Sequence, residues 1–353
     1  MQKIIKENRI CLYLNHSKMI ENQYNDAAES KECYKLKPEL FNFKPRTTED
    51  NETSEQPKNK RKRRKTDAES EECEELKKQV QPFLNDIQIL IKNETNNDVQ
   101  QNMPRIWEEK IEFPKFHGSN NTPEFQTTKL QEQSFIIPPK CAFYNYNVTE
   151  LPQLLPQLEK YDLIIMDMPW INKYIKRLKK VNQSLAYHMM DNDSLQNIPL
   201  EEMTHPHSLV ALWCTNAPQH LNALRNEFLP KWHLQIVHTL KWFKFNTEGD
   251  LISPIKSVGF KQPYETLFIT CHKDRNVEDL KDIKCIDFIA SLPSIIHSHK
   301  PPLVEWLRVF LDDPLHFKGL EIFARYLQPR FTSIGLEVLK LMDKRLYNII
   351  SSC

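Results

Sequence analysis

Residues 161–167 (YDLIIMD) limit the fold more than any other segment. Leu163, Ile164, Ile165 and Met166 are apolar in succession, so a strand here must be covered on both faces. Comparable runs follow. Residues 208–215 (SLVALWCT) form a second, 234–245 (LQIVHTLKWFKF) alternate as a strand, 264–272 (YETLFITCH) supply its hairpin partner or neighbour, and 319–325 (GLEIFAR) are strand-like again. Between them, 217–229 (APQHLNALRNEFL) have helical periodicity, and 301–311 (PPLVEWLRVFL) open on prolines placed for a helix N-terminus. Such alternation predicts an α/β sheet with helices on both faces. Ligands of these sheets bind at the carboxyl ends of strands, so the residues just past each apolar run are the first candidates for function.

Composition excludes several site types. Only 5 glycines occur in 353 residues, where average usage would give about 25. Gly118, Gly249, Gly259, Gly319 and Gly335 are scattered, which leaves no Walker A loop and no G-x-G-x-x-G turn. The 8 cysteines contain no C-x-x-C pair, so neither a disulfide framework nor a cysteine zinc site is expected. His205 with His207, His233 with His238 and His297 with His299 lack further ligands at metal spacing and are expected to be surface or hydrogen-bonding residues; no metal site is expected. With a net charge of +1, attraction to nucleic acid has to come from local patches.

The chain divides by composition into an N-terminal segment (1–43), a linker (44–75), a helical or irregular region (76–134) and a continuously globular part (135–353). The linker is nearly devoid of apolar residues and is expected to be disordered. Within it, residues 58–65 (KNKRKRRK) are seven basic residues in eight, the pattern of a nuclear localisation signal or a nucleic-acid arm. The expected location is the nucleus, with the cytoplasm as a second location beside it. Residues 76–93 (LKKQVQPFLNDIQILIKN) place Phe83, Leu84, Ile87, Leu90 and Ile91 near helical spacing. Neither a signal-peptide core nor a membrane-length apolar run is present, so a soluble intracellular protein is expected.

The first strand ends in Asp167, Met168, Pro169 and Trp170. A carboxylate, a carbonyl with no competing N–H from Pro169, and an exposed aromatic would together recognise an exocyclic amine: the first two accept its hydrogen bonds and Trp170 stacks on its ring. Adenine N6 and cytosine N4 both fit.

This quartet resembles the D-P-P-W motif of the MT-A70 family of adenine-N6 methyltransferases, and it follows a strand as that motif does. Residues 171–187, LVALWCTN, KWFKFNTEGD, KQPYETL, HSHKPPL and LEIFARYLQPRFTSIGLEVLK resemble, in order, the methyltransferase-like protein four branch of that family, over residues 135–345. The resemblance implies a Rossmann-like methyltransferase domain of permuted motif order, beside a smaller and partly disordered N-terminal region. It implies S-adenosyl-L-methionine as cofactor, held by side chains and loop backbone without a glycine turn. Asp167 would hold the cofactor's amino group and the target amine, and Lys300 its carboxylate. Arg325, Gln328 and Glu337 would bind ribose and adenine, with Asn147 and Val148 near the adenine. Met168, Asn147 and Leu336 depart from the family's Pro, Asp and Asn, and Tyr326 and Leu327 differ from the polar residues of its heteromeric branch.

Between Trp170 and the next strand, Lys173, Lys176, Arg177, Lys179 and Lys180 interleave with Tyr174 and Tyr187, a combination suited to an extruded or single-stranded nucleotide. Trp242, Lys244, Lys261 and Tyr264 are weaker candidates for the same cleft. The implied substrate is RNA, internal 2′-O-methyladenosine of U2 small nuclear RNA in particular, with adenine in DNA as the alternative. A non-catalytic nucleic-acid-binding subunit is the second alternative. No membrane association is expected, and the branch implies a monomer.

Overall fold

The computed structural model describes residues 1–28, 32–44, 71–95, 104–109, 111–154, 159–171, 189–256 and 261–351. Its strands are β1 (Gln2–Lys6), β2 (Arg9–Tyr13), β3 (Glu32–Leu36), β4 (Phe116–Asn120), β5 (Gln126–Leu130), β6 (Gln133–Ile137), β7 (Cys141–Asn145), β8 (Leu163–Asp167), β9 (Leu209–Cys214), β10 (Leu234–Lys244), β11 (Tyr264–His272), β12 (Phe288–Ser291), β13 (Gly319–Ile322), β14 (Phe331–Gly335) and β15 (Tyr347–Ser351). Eleven of them form one sheet in the order β1-β2-β12-β10-β11-β9-β8-β13-β14-β7-β4. The others pair off as β15-β3 and β5-β6.

Strand direction decides where a site can form. From β7 through β14, β13 and β8 to β9, all neighbours are parallel. β11 is antiparallel to both β9 and β10, so β10 regains the common direction, and β12 and β2 keep it. The carboxyl ends of eight strands therefore share one edge of the sheet; the outermost strands β1 and β4 run the other way, and β11 is the one interior strand that delivers its amino end there.

β8 lies inside this array. Its successive side chains enter opposite cores: Leu163 and Ile165 pack with Trp213, Trp242 and Leu267, whereas Ile164 and Met166 pack with Leu212, Phe228 and Trp232. Full burial of each such side chain stabilises by roughly 1.5–3 kcal/mol, which explains the unbroken apolar run. The helical stretch after β9 runs as Pro218–Ala223, a π-type turn Leu224–Phe228 and Leu229–Lys231, and covers the second of these faces with Phe228. The prolines at 301 and 302 stand just ahead of the short helix Val304–Leu307, which packs Val304 and Trp306 on the first face.

Composition separates residues 1–43 from the globular part; the hydrogen bonds do not. β2 joins β12 in parallel, with Cys11 opposite Phe288 and Tyr13 opposite Ala290. The β1–β2 hairpin closes through Glu7 (φ 49°) and Asn8 (φ 63°), a left-handed pair whose twist suits a two-residue turn. Helix α1 (His16–Ala27) follows, capped by the Asn15 side chain accepting from the Lys18 N–H. The C-terminal part of the expected disordered linker is likewise ordered. Residues 71–75 open α2 (Glu71–Val80), where Glu71, Glu72 and Glu74 meet the positive end of the helix dipole. The basic run at 58–65 lies outside the described residues. Pro82 interrupts the amphipathic segment with a 3₁₀ turn, Gln81–Phe83, before α3 (Leu84–Glu94) buries Ile87 and Ile91.

Candidate active site

Asp167 ends β8 at the common carboxyl edge. Lys300, on the loop after β12, donates to its Oδ2 at 2.8 Å and lies 3.0 Å from Glu265 Oε2. Glu265, second residue of β11, also pairs closely with Lys244, the last residue of β10. Only the reversed strand β11 could place a carboxylate from its beginning beside residues from the ends of β8 and β10. The result is a chain of alternating charge, Asp167–Lys300–Glu265–Lys244, in which the Lys300 side chain is 10% exposed. The ammoniums also sit over tryptophan faces, Lys244 at 4.4 Å from the Trp242 centroid and Lys300 at 5.9 Å from that of Trp213.

The two acids differ because their cations are shared unequally. Burial alone would raise the Glu265 carboxyl, but Lys244 and Lys300 outweigh it and hold it well below the usual carboxylate range. Burial raises the Asp167 carboxyl; Lys300, its one close cation, offsets this in part, and the Glu265 charge adds to it. Asp167 is therefore the better proton acceptor of the two.

The turn after Asp167 departs from expectation. The Trp170 N–H donates to the Met168 carbonyl at 2.9 Å, so that carbonyl already has a partner. Met168 is buried, and Trp170, expected to be exposed, is 2% exposed. Its ring stacks on Phe228 (centroids 5.8 Å apart, 12° between planes) and lies 4.7 Å from His220, while its Nε1 donates to the Trp213 carbonyl at 3.4 Å. The Pro169 carbonyl accepts from Met190 N–H at 3.0 Å. An indole with this many apolar neighbours gains more from the core than from solvent, which is why the turn folds inward.

Two further loops line the cleft beside Asp167 and Lys300. β13 contributes Glu321, and the chain after it Phe323, Arg325 and Tyr326. Phe323 (φ 65°) and Ser298 (φ 61°), both on the cleft wall, hold left-handed backbone that non-glycine residues rarely adopt. Gly335 ends β14 where an added Cβ would stand 2.8 Å from the Ala324 carbonyl oxygen, so the two loops meet backbone to backbone. Arg325 donates to the His297 carbonyl at 2.6 Å and lies 3.3 Å from Glu337 Oε2. The atom that faces Glu337 is the buried Nε, which meets it as an ion pair.

The expected cofactor residues thus fall into two groups. Asp167, Lys300 and Arg325 line one cleft, with Glu337 tied to it through Arg325. Asn147 caps the turn after β7, accepting from Thr149 N–H, and Val148 is buried there. That turn follows Asn145, which pairs in parallel with Gly335, two residues before Glu337. Gln328 is fully buried behind the cleft, hydrogen-bonded to Glu321 and Gln23.

Of the expected substrate residues, Trp242 is a core side chain: it is 1% exposed and donates to Ser291 Oγ at 2.7 Å. Tyr264 is buried against Phe243, its hydroxyl pushed up to about 12 by burial. Lys244 belongs to the charge chain. Lys173, Tyr174, Lys176, Arg177 and Tyr187 lie outside the described residues. His205 meets Asp162 at 3.1 Å and His238 the Ile286 carbonyl at 2.7 Å; among the described residues no cluster of three or more ligand-type side chains could hold a metal ion. No helix among them is long and apolar enough to cross a membrane.

Sequence reasoning missed Glu265, Glu321 and Asn216. Asn216, just past β9, donates to the Tyr264 carbonyl at 2.7 Å and accepts from Thr266 Oγ1 at 2.8 Å, which pins the start of β11. The available signal was a carboxylate set inside each of two apolar runs, YETLFI and GLEIF.

An adjacent anion and cation of this kind complement the ammonium and carboxylate of an amino-acid zwitterion, and the second oxygen of the Glu321 carboxyl leaves polar capacity for the rest of such a ligand. The residues present therefore fit the amino-acid end of S-adenosylmethionine. Comparison with known proteins covers the same part of the chain. The MT-A70 model matches residues 161–337. The chain is 32% identical over 228 residues to the human N(6)-adenine-specific methyltransferase METTL4, covering 63% of this chain and 46% of that protein. It is 32% identical over 217 residues to a Caenorhabditis elegans DNA N6-methyl methyltransferase (60% and 55% covered), and 30% over 215 residues to the Pyricularia oryzae N6-methyladenosine RNA methyltransferase MTA1 (60% and 56%). The chain spans about half the length of these curated relatives. The matched stretch runs from the strand carrying Asp167 to Glu337 and takes in every residue of the cleft's charge network, and on that match the chain belongs to the MT-A70 family.

Proposed function

We propose that the chain is an S-adenosylmethionine-dependent adenine-N6 methyltransferase acting on nucleic acid. The observation that carries this reading is the Asp167–Lys300 pair at the carboxyl edge of a mostly parallel sheet, lining one cleft with Glu321 and Arg325. The cofactor supplies a methyl group activated by its sulfonium. Lys300 would turn from Asp167 to the cofactor's carboxylate, freeing the Asp167 oxygens for the ammonium and for the target amine. Asp167 would orient the N6 lone pair in line with the methyl and stabilise the positive charge that develops on nitrogen. No strong base is required, since the amine acquires acidity only as it becomes cationic.

Within this class the favoured substrate is RNA, specifically internal 2′-O-methyladenosine of U2 small nuclear RNA, and the alternative is adenine in DNA. Relatives named for each nucleic acid match the chain at similar identity. In this reading the basic loop at 173–187 contacts phosphates and bases, the basic run at 58–65 directs the chain to the nucleus, and the chain acts as a monomer. The burial of Trp170 favours a second reading, a non-catalytic nucleic-acid-binding subunit of the same fold. Transfer of labelled methyl to matched RNA, 2′-O-methylated RNA and DNA oligonucleotides separates these readings. The 2′-O-methylated strand should take most label; label on DNA alone would select the alternative, and no S-adenosylmethionine binding would select the non-catalytic subunit.

A further inference from the structure

Helix α1 precedes the family-matched residues by more than a hundred positions, yet it holds both loops that carry the cleft's cations. On one side the His16 ring lies 4.5 Å from that of His299, the residue before Lys300. On the other, the Tyr24 hydroxyl donates to the Leu327 carbonyl at 3.0 Å, two residues past Arg325. Between them runs a directional relay: Gln23 Nε2 donates to Gln328 Oε1 at 3.0 Å, and Gln328 Nε2 donates to Glu321 Oε2 at 2.6 Å.

The direction matters because a glutamine amide has a donor end and an acceptor end. Once Gln23 donates to the oxygen of Gln328, its nitrogen is the end that faces Glu321. Without that donor, Gln328 is free to flip and present an oxygen to the Glu321 carboxyl. With Oε2 engaged, Oε1 is the Glu321 oxygen left for a ligand in the cleft.

We propose that Gln23 is a positioning residue of the cofactor cleft, acting through Gln328 to fix the orientation of Glu321, so that a helix outside the family-matched stretch forms part of the binding site. This rests on the cleft being the S-adenosylmethionine site. The charged and titratable groups that line the cleft with Glu321 are Asp167 from β8, Lys300 from the loop after β12, and Arg325 and Tyr326 from the chain after β13. Burial raises the Glu321 carboxyl to about 8; the Gln328 hydrogen bond works against the shift and the Asp167 charge adds to it.

The test uses the full chain with ¹³C-labelled glutamate, the Glu321 carboxyl resonance being assigned by its loss in Glu321→Gln. In Gln23→Leu the Glu321 titration midpoint should move upward, because the bond that favours the carboxylate is loosened. Calorimetry should show S-adenosylmethionine binding roughly fivefold weaker, the scale of one hydrogen bond. Should Gln23→Leu not fold, Gln23→Glu, which forces the Gln328 amide to turn over, should show the same two changes. An unmoved midpoint, or wild-type affinity, in a folded variant overturns the proposal. A wild type that binds no S-adenosylmethionine overturns the reading of the cleft instead, and the titration then decides the relay by itself.

Discussion

Lys300 joins Asp167 across 2.8 Å although 133 positions separate them in the chain. The same ammonium reaches Glu265, so one cation serves two carboxylates.

Replacing Lys300 by Met should therefore cost stability as well as function. The variant leaves Asp167 without its close cation and Glu265 with Lys244 alone. Stripping one partner from a buried pair costs about 3–5 kcal/mol. Because the Asp167 and Glu265 side chains are 27% and 29% exposed, roughly 2–3 kcal/mol is expected. Urea denaturation at neutral pH measures it; a change below about 0.5 kcal/mol, the level of an ordinary surface substitution, would mean the pair is a surface contact.

Trp170 should behave as a core residue. Trp170→Ala is expected to destabilise by about 3–5 kcal/mol, and Trp170→Phe by much less, since the stacking on Phe228 is retained in part. A Trp170→Ala protein as stable as the wild type would show that the indole faces solvent.

Two neutral histidines confer acid sensitivity. Burial lowers His16 well below its ordinary value of 6.5, with His299 adding to it; burial, Arg325 and Lys300 lower His299 to about 3. Below pH 6.5 the unfolded chain takes up protons that the folded chain refuses, so stability falls as pH drops from about 6.5 toward 3. His16→Leu removes one of these groups. The stability lost between pH 7 and pH 4.5 should shrink by roughly 1–2 kcal/mol in the variant, measured by denaturant unfolding at each pH; an equal loss in both proteins would contradict it.

What the sequence shows and hides follows from the range of the interactions involved. The unbroken apolar run at Leu163 to Met166 announced a strand covered on both sides, and its end at Asp167 marked the edge where the cleft lies, because both are local patterns. Glu265 stayed hidden. Its place beside Asp167 depends on β11 entering the sheet in reverse between β9 and β10, a pairing set by residues far apart in sequence. Trp170 was misread as exposed for a related reason, since the helical turn that brings Phe228 over it lies beyond the next strand. The N-terminal strands carry no motif, and only their pairing with β12 reveals them as part of the same sheet.

Orientation of the methyl-accepting amine by Asp167 is tested by Asp167→Asn. Wild type and variant are incubated with labelled S-adenosylmethionine and an adenine-containing oligonucleotide, and N6-methyladenosine is quantified after digestion. Asparagine keeps the shape and removes the charge, so turnover should fall by about a hundredfold or more, the scale of losing one positioned electrostatic group. Equal N6-methyladenosine from the two proteins would mean that the Asp167 charge plays no part in the transfer.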